Sequence, residues 1–367
     1  DAASRRAADR PVGAQMSVRA SHIAPAALTT ATLVRLGQLT NRTLVLPLLI
    51  FFPTGRCNSR CISCDWWKQS GADDLTIDEI RRLARSLPSL RTRLVVFSGG
   101  EPLLRPEVFD AADAFLAHDI ALHLLTSGVL LERFADRVGR RFSRVVVSLD
   151  ATSDALYERI RGVNALGTVA RGVARLRREA PRVPITGRAT LHRTNFRELP
   201  RLIDHAHALG LDAISFLPAD VSPRAFGRDG APDLDALALD ADEVIEFKQL
   251  VERTIAAYAD DLESGFVSES PDRLRRLPQY YAALRGDAPF PAVSCSAPWV
   301  SVVVEANGSV RPCFFHGVVG NIREMPLERI VSDNLRRFRD RLDVGANPVC
   351  ERCVCSLNTS WRSAPWT

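Results

Sequence analysis

The sequence predicts an α/β fold with a parallel sheet, followed by a small cysteine-rich domain. From Leu44 onward, six short apolar runs alternate with segments of helical periodicity, which is the pattern of consecutive βα units. The last quarter of the chain breaks this pattern and carries five of the eight cysteines. We therefore expect a first domain of six βα units and a separate C-terminal domain.

The segment before the first strand, residues 1–43, predicts a tail and one helix. Residues 1–25 are rich in Ala, Arg and Ser and lack a clear periodicity, which is typical of a disordered tail. Within Ala26–Leu39, leucines recur at helical spacing. We expect this helix to close one end of the sheet, and a membrane-surface anchor is the alternative.

The βα units follow in order along the chain. The first predicted helix has Thr76 as its N-cap and Glu79 three residues later, which is the capping-box pattern. The predicted strands are Leu44–Phe52, Arg93–Ser98, Ile120–Thr126, Arg144–Leu149, Pro184–Leu191 and Ala213–Leu217. The predicted helices between them are Thr76–Leu87, Pro106–Ala117, Leu130–Val138, Val163–Glu179 and Phe196–Leu209.

Residues 221–290 interrupt the βα pattern. A Pro-, Gly- and Asp-rich stretch, Ser222–Asp235, precedes helical stretches near Asp240–Leu262 and Pro271–Arg285. We interpret this segment as a bridge that folds over the sheet and contributes to substrate specificity. The predicted organisation of the chain is therefore 1–43, 44–220, 221–290 and 291–367.

The composition and charge are those of an ordinary globular protein. The 367 residues are 46% hydrophobic and 25% charged. The formal net charge is +5, but nearly all basic residues are Arg, since Lys68 and Lys248 are the only lysines. The basic residues are scattered rather than gathered in one run, so they indicate solvated helix faces and no nucleic-acid partner.

The cysteines and the apolar stretches indicate the compartment. Eight cysteines without a signal peptide favour a reducing, cytoplasmic location, where thiols bind metals rather than form disulfides. The longest apolar stretch, Leu44–Phe52, is interrupted by Pro47 and is far shorter than the roughly 20 residues of a membrane helix. No transmembrane segment is expected.

Three cysteines lie within eight residues: Cys57, Cys61 and Cys64. Iron–sulfur clusters are normally held by four cysteines, and a structural zinc site needs a closed set of four ligands. A compact group of three can hold three irons of a cubane cluster and leave the fourth iron without a protein ligand. These three cysteines are therefore the candidate catalytic and metal-binding residues.

A second motif, Ser98-Gly99-Gly100-Glu101-Pro102, follows the next predicted strand. Two glycines allow backbone to approach a ligand closely, and ligands of parallel α/β folds bind where the strands end. A CxxxCxxC loop followed by a strand that ends in GGEP resembles the radical SAM superfamily. The resemblance implies an open (β/α)6 partial barrel, a TIM-like barrel with its active site at the carboxyl ends of the strands.

The resemblance also implies the cofactors. Cys57, Cys61 and Cys64 would hold a [4Fe–4S] cluster whose open iron binds S-adenosylmethionine. Arg188 lies where many relatives place an arginine on the carboxylate of that molecule, and a guanidinium pairs with a carboxylate bidentately. The candidate cofactor-binding residues are Ser98, Gly99, Gly100, Glu101, Thr126, Ser148, Arg188 and Leu217.

One position departs from the family pattern. Relatives carry a bulky residue just before the third cysteine, near the adenine, whereas this chain has Ser63. Trp66 and Trp67 are the candidate substitutes, and packing against the barrel is the alternative for either of them.

The second cysteine group consists of Cys295, Cys313, Cys350, Cys353 and Cys355. A hairpin pattern with a type I′ turn at Asn307-Gly308 separates the first two, and a helix over Leu327–Leu342 follows. This arrangement resembles the auxiliary-cluster domain of many radical SAM enzymes, in its full SPASM form or its shorter twitch form.

Five cysteines are too few for the two auxiliary clusters of the full form, so we expect one auxiliary [4Fe–4S] cluster. The expected ligands are Cys295, Cys313, Cys350 and Cys353, because CxxC is a natural chelating spacing. Cys355 either replaces one of them or stays free. A zinc ribbon built from the same residues is the competing interpretation.

The resemblance implies reductive cleavage of S-adenosylmethionine to a 5′-deoxyadenosyl radical, which abstracts hydrogen from a substrate C–H bond. The auxiliary cluster would transfer electrons, and a flavodoxin or ferredoxin would supply them. We expect oxidation or rearrangement of a small molecule, because residues 1–43 are too short for a leader-binding domain. Modification of a ribosomally made peptide is the alternative within the enzyme class, and a non-catalytic iron–sulfur electron carrier is the alternative outside it.

Overall fold

The computed structural model describes residues 25–222, 225–230 and 232–357. The tail predicted for residues 1–25 therefore lies, except for Pro25, outside the described residues. No helix among the described residues is long and apolar enough to cross a membrane.

Six parallel strands form most of one sheet, in the order in which they occur along the chain. Three further strands extend the sheet beyond its first strand, so that the order is β6-β5-β4-β3-β2-β1-β7-β8-β9. The six predicted strands are confirmed, with ends that differ by up to four residues. The strands are β1 Leu48–Phe51, β2 Leu94–Phe97, β3 Ala121–Thr126, β4 Arg144–Ser148, β5 Ile185–Leu191, β6 Ala213–Pro218, β7 Ser301–Val304, β8 Ser309–Arg311 and β9 Gly320–Asn321.

Helices follow the strands of the sheet and fill the segment between β6 and β7. The capping box at Thr76 is present: the Glu79 N–H donates to the Thr76 hydroxyl and the Glu79 carboxylate accepts from the Thr76 N–H. The α-helices are α1 Pro25–Thr40, α2 Ile77–Ser86, α3 Val108–Leu116, α4 Leu131–Gly139, α5 Asp154–Arg161, α6 Leu166–Glu179, α7 Leu199–Ala208, α8 Leu234–Leu237, α9 Ala241–Ala257, α10 Ala259–Ser264, α11 Pro271–Arg285, α12 Ala297–Val300, α13 Leu327–Arg329, α14 Leu335–Arg339 and α15 Pro348–Glu351.

The core lies between the sheet and the helices that cover its outer face. Phe51, Phe97 and Phe115 pack edge to face at ring-centroid distances of 5.4–5.8 Å and are fully buried. Burial of such rings contributes strongly to stability, since truncating one to Ala typically costs about 3–5 kcal/mol. This packing fixes the strands whose carboxyl ends carry the sequence motifs.

The C-terminal domain is attached directly to the sheet of the first domain. Strand β7 pairs in parallel with β1, with Leu48 opposite Ser301 and Phe51 opposite Val304. The expected hairpin is present, but its type I′ turn is wrong. Gly308 has a φ of 84°, whereas Asn307 is not in the left-handed region, and the Gly308 N–H donates to the Glu305 carbonyl. This geometry is a turn closed by a left-handed glycine, in which only one residue needs positive φ.

Two predicted helices differ in the structure. The helix predicted over Leu327–Leu342 is interrupted by a π-helical turn at Ile330–Asn334, so that α13 and α14 flank that turn. The segment between β4 and β5 holds two helices rather than one. The additional helix, α5, ends at Gly162 in the left-handed conformation, a common helix C-terminal signal.

The bridge segment is tied to the sheet by a buried tyrosine. Helix α11 packs against α9 and β6. From α11, the Tyr281 hydroxyl donates to the Leu191 carbonyl at the end of β5 and accepts from the Ala219 N–H at 2.9 Å. This hydroxyl therefore joins the ends of two neighbouring strands.

Replacing Tyr281 by Phe should destabilise the protein by about 0.5–1.5 kcal/mol, because the Ala219 N–H and the Leu191 carbonyl, which stay bonded to each other at 3.1 Å, each lose their second partner. The midpoint of thermal unfolding is the measurement. Tyr258→Phe is the matched control. The Tyr258 hydroxyl donates to Asp204 near the surface, so its removal should lower the stability less. Equal stability of the Tyr281→Phe and wild-type proteins would contradict the role of this hydroxyl.

Candidate active site and auxiliary metal centre

The carboxyl ends of the strands surround a cavity of about 560 Å³. The first three cysteines line it together with every predicted cofactor-binding residue except Glu101. The predicted residues that line the cavity are Cys57, Cys61, Cys64, Ser98, Gly99, Gly100, Thr126, Ser148, Arg188 and Leu217. Residues far apart in sequence thus meet at one site.

The cysteine loop is held by the end of helix α5. The N–H groups of Arg60 and Ile62 donate to the carbonyls of Arg161 and Ile160, at 2.7 and 3.0 Å. A helix end leaves such carbonyls without partners inside the helix. Gly162 follows with a φ of 65°, and a Cβ there would lie 2.7 Å from the Cβ of Arg60. This helix is not among the predicted ones, although apolar residues at helical spacing before a glycine are a recognised signal.

The two glycines of GGEP allow the strand end to contact the cysteine loop. A Cβ on Gly100 would lie 2.0 Å from the Arg56 carbonyl oxygen, so no other residue fits there. Gly99 has a φ of 98°, and a Cβ on it would lie 2.7 Å from the side chain of Phe52. Both glycines are therefore required by packing within the protein.

Glu101 is fully buried, and its carboxylate faces the protein rather than the cavity. It accepts hydrogen bonds from the Leu103 N–H, the Thr126 hydroxyl and the Ser127 N–H, at 2.7–3.1 Å. Burial raises its pKa despite these bonds. In this structure Glu101 thus joins the ends of β2 and β3, which differs from the direct cofactor contact expected from sequence, because its oxygen atoms already have protein donors.

A buried cation lies beside the three thiols. Arg161 lines the cavity, and its Nη1 donates to Asp150 Oδ2 at 2.9 Å. Its Nε is buried without a partner among the described residues. Burial alone would lower its pKa, but nearby Cys61, Asp150 and Tyr157 raise it overall. The guanidinium is therefore positioned to compensate negative charge at the cysteine loop.

The thiols of the loop are buried. Burial acts to raise the pKa of Cys57 and Cys64, and the nearby backbone of Ser59 and of Trp66 acts to lower it. Burial raises the pKa of Cys57 to about 11 and that of Cys64 to about 12, so neutral pH alone leaves both thiols protonated. Metal coordination deprotonates thiols, and a nearby cation then stabilises the thiolates. The loop therefore fits an iron–sulfur cluster.

The remaining predicted contacts lie on the far side of the cavity. Arg188 of β5 is fixed by a hydrogen bond from its Nε to the Ser215 hydroxyl at 3.2 Å. Thr190 also lines the cavity, and its N–H donates to Asp150 Oδ1 at 2.7 Å. Thr190 is not among the predicted site residues, because an inward-facing strand residue has no sequence signature of its own.

The bridge segment covers the cysteine loop. Arg228 forms a buried ion pair with Asp220, and its Nη1 donates to the Ser63 carbonyl at 2.6 Å. Phe226, which has a φ of 55°, accepts a hydrogen bond from the Asp65 N–H at 2.9 Å. The main chain around Ser63 is thus fixed by residues that the sequence placed only in an unspecified bridge.

Aromatic residues form a wall of the cavity. Trp66 packs edge to face on Phe52 at 5.3 Å, and Phe314 stacks between Phe52 and Phe226 at 6.1 and 6.2 Å. Trp66 lines the cavity, whereas Trp67 does not and is 36% exposed. Of the two tryptophans proposed to replace the bulky residue at Ser63, only Trp66 has access to a ligand there.

A second, smaller cavity of about 120 Å³ lies in the C-terminal domain. All five remaining cysteines line it, together with His316 and mostly apolar side chains. The eight cysteines form no disulfides. The hairpin and the helix α15 bring these thiols together from segments up to 60 residues apart.

Two of the five thiols have polar contacts of the kind that ligands of an iron–sulfur cluster commonly have. The Ala297 N–H donates to the sulfur of Cys295 at 3.4 Å, and the sulfur of Cys350 lies 3.3 Å from Nε2 of the buried His316. Burial raises the pKa of Cys313 and Cys353, and the nearby backbone of Phe315 and of Cys355 opposes this rise. This second site also fits a cluster.

Comparison with known families agrees with both sites. A model of the radical SAM superfamily matches residues 51–206, and a model of an iron–sulfur cluster-binding domain matches residues 295–354. This chain belongs to the radical SAM superfamily. The matches lie inside the predicted domains 44–220 and 291–367, whose boundaries stay predictions.

Several relatives of this radical SAM protein are known. The chain is 28% identical over 222 residues to a probable GTP 3′,8-cyclase of Methanococcus maripaludis, covering 58% of this chain and 73% of the relative. It is 30% identical over 174 residues to a PqqA peptide cyclase of Rhodopseudomonas palustris, covering 46% of each. Streptococcus suis SuiB bound to S-adenosylmethionine has the same fold, with a TM-score of 0.60 and 14% identity. The match covers 90% of this chain and 77% of the SuiB chain.

The expectations for fold and cofactors are thereby confirmed. The radical SAM protein has a partial-barrel fold, a [4Fe–4S] cluster that binds S-adenosylmethionine, and an auxiliary iron–sulfur cluster. The zinc-ribbon interpretation of the C-terminal cysteines is not supported, because the matching domain is an iron–sulfur one.

The purified protein, reconstituted without oxygen, should contain about eight irons and eight sulfides, because the cysteines can hold two cubanes. Replacing Cys57, Cys61 and Cys64 together by Ala should leave about four irons and abolish 5′-deoxyadenosine formation. Iron analysis and chromatography of the nucleoside are the measurements. Zinc in the second site, or cleavage of S-adenosylmethionine by the triple variant, would contradict the assignment.

Replacing His316 by Phe should make the potential of the auxiliary cluster more negative by roughly 40 mV. A donor to the Cys350 sulfur stabilises the more negative, reduced state, and about 1 kcal/mol corresponds to that shift for one electron. A redox titration monitored by electron paramagnetic resonance measures it. His316→Gln, which keeps an N–H donor, is the control, and equal potentials in all three proteins would contradict the prediction.

Proposed function

We propose that this protein uses S-adenosylmethionine to abstract hydrogen from a small molecule, and that it oxidises or rearranges that molecule in a biosynthetic pathway. The observation that carries the proposal is the meeting of three cysteines with Arg188 in a single cavity that the auxiliary domain also lines. When bound, the cluster supplies the electron that cleaves S-adenosylmethionine to methionine and a 5′-deoxyadenosyl radical. The presence of an auxiliary cluster-binding domain supports a reaction in which electrons are also transferred to or from the substrate.

The residues of the cavity have separate proposed roles. Arg188, held by Ser215, binds the carboxylate of S-adenosylmethionine through its guanidinium. Ser148 and Leu217 contact the nucleoside at the ends of β4 and β6. The aromatic wall of Phe52, Trp66 and Phe314 excludes water, which protects a reactive carbon radical from side reactions.

The cavity size limits what can bind beside S-adenosylmethionine. Its volume of about 560 Å³ is in the middle of the range of roughly 300–1,000 Å³ for sites that bind small ligands. S-adenosylmethionine would take a share of this space, so the remainder suits a small molecule or one residue of a peptide.

Part of the cavity wall comes from the hairpin of the auxiliary domain, including the ion pair between Glu305 and Arg311 at 2.7 Å. Both side chains are largely buried. We propose that this pair contacts polar groups of the substrate.

Modification of a ribosomally made peptide is a second candidate. The similarity to a PqqA peptide cyclase supports it, although that similarity covers 46% of each chain. The similarity to a probable GTP 3′,8-cyclase, which covers more of both chains, supports a small molecule. The two candidates differ in the size of the molecule that loses hydrogen.

Transfer of deuterium into 5′-deoxyadenosine tests the proposal. The reconstituted protein is incubated with S-adenosylmethionine, a reductant and an extract of cells grown on deuterated medium, divided by dialysis into small molecules and peptides. Mass spectrometry should find deuterated 5′-deoxyadenosine with the small-molecule fraction. The Cys57, Cys61 and Cys64 triple Ala variant is the control for label that arises without this cluster.

Label transfer from the peptide fraction alone would favour the second candidate. Formation of no 5′-deoxyadenosine with any fraction, despite full iron content, would contradict the proposed enzyme class and leave the electron carrier as the alternative.

A further inference from the structure

Cys355 lies in the wall between the two cavities. It lines the cavity of the auxiliary domain with the other four C-terminal cysteines. It also lines the larger cavity that contains Cys57, Cys61 and Cys64, and none of the other four does so. Its neighbour Val354 faces the larger cavity as well. The thiol of Cys355 is therefore within reach of both sites.

Two observations set Cys355 apart from the four other thiols. A cubane whose irons all have cysteine ligands takes four cysteines, and five line this cavity, so one is left over. Cys355 is the one of the five that also lines the larger cavity, and the match to the iron–sulfur domain contains the other four and ends at residue 354. Its place between the two cavities makes Cys355 the cysteine left over.

The surroundings of Cys355 belong to the active site. The guanidinium of Arg188, which we propose to bind S-adenosylmethionine, is an electrostatic neighbour of this thiol. Phe314 is the other residue that lines both cavities, and it belongs to the aromatic wall. A thiol at this place lies between the larger cavity, where a carbon radical would form, and the cavity of the auxiliary cluster.

We propose that Cys355 is a free active-site thiol that donates a hydrogen atom to the substrate radical. This inference rests on the proposed function and narrows it to a rearrangement or inversion in which substrate and product are isomers. The 5′-deoxyadenosyl radical takes a hydrogen atom from a substrate C–H bond and becomes 5′-deoxyadenosine. The Cys355 S–H bond then breaks, a new C–H bond forms on the substrate, and a thiyl radical remains.

The thiyl radical must return to the thiol before the next turnover. It takes up one electron, delivered through the auxiliary site, and one proton from water. A low-potential ferredoxin or flavodoxin supplies this electron and the one that cleaves S-adenosylmethionine. Each turnover therefore consumes one S-adenosylmethionine, two electrons and one proton.

The first test determines whether the thiol is free. The reconstituted protein, with both clusters, is treated with iodoacetamide without oxygen and mapped by mass spectrometry. Cys355 should be alkylated while the iron content stays at about eight, and saturating S-adenosylmethionine should slow the alkylation. Cys355→Ser should keep about eight irons, whereas Cys353→Ser should lose about four. Loss of about four irons from Cys355→Ser would overturn the proposal, because Cys355 would then be a ligand.

The second test determines whether the thiol delivers hydrogen to a carbon radical. The protein is incubated in D₂O with S-adenosylmethionine and titanium(III) citrate, and without substrate. The thiol then carries deuterium, and 5′-deoxyadenosine formed in this way should contain deuterium at its 5′ carbon. In Cys355→Ser the deuterated fraction should fall by about tenfold or more, because a hydroxyl O–H bond is too strong to donate to a carbon radical.

The two tests separate failure of this inference from failure of the proposed function. An unchanged deuterated fraction in Cys355→Ser would overturn the hydrogen transfer while leaving the proposed enzyme class intact. If the wild-type protein formed no 5′-deoxyadenosine, the proposed function and the transfer would both fail, and alkylation would still report whether Cys355 is a ligand.

Discussion

The structure of the active site depends on how the cysteine loop is held. The loop between Cys57 and Cys64 belongs to no strand or α-helix, so contacts from other elements must fix its backbone. The carbonyls at the end of α5 accept its N–H groups, Arg228 donates to its carbonyl at Ser63, and Gly100 lies against its first turn. Because three thiols must share one cluster, a small change in any of these contacts would alter all three metal positions.

The pairing of β7 with β1 is the second constraint. Through it the auxiliary domain continues the sheet of the barrel, so the hairpin and Phe314 become part of the active-site wall. The auxiliary cavity and the active-site cavity consequently share Phe314 and Cys355. In this arrangement Phe314 and Cys355 lie between the two cavities, so an electron or a hydrogen atom has a short distance to travel. Both the proposed function and the proposed role of Cys355 depend on this arrangement.

Several site residues could be predicted because their chemistry requires a particular residue type at a fixed spacing. Cysteines in CxxxCxxC and glycines at a strand end are examples, and the structure places them around one cavity. Glu101 shows the limit of this reasoning. Its identity follows from the motif, but a sequence does not tell whether a carboxylate meets a ligand or the N–H groups of a neighbouring loop, as it does at Ser127.

The βα order, the strands and the two groups of cysteines follow from the chain alone, because periodicity and residue type are local properties. Which groups face one another depends on how distant segments pack. Arg161 lies beside the thiols because α5 ends at the cysteine loop, and Arg228 reaches Ser63 although 165 residues separate them. Cys355 differs from its neighbour Cys353 by its position in a shared wall. Such contacts join segments distant in sequence, and no local pattern records them.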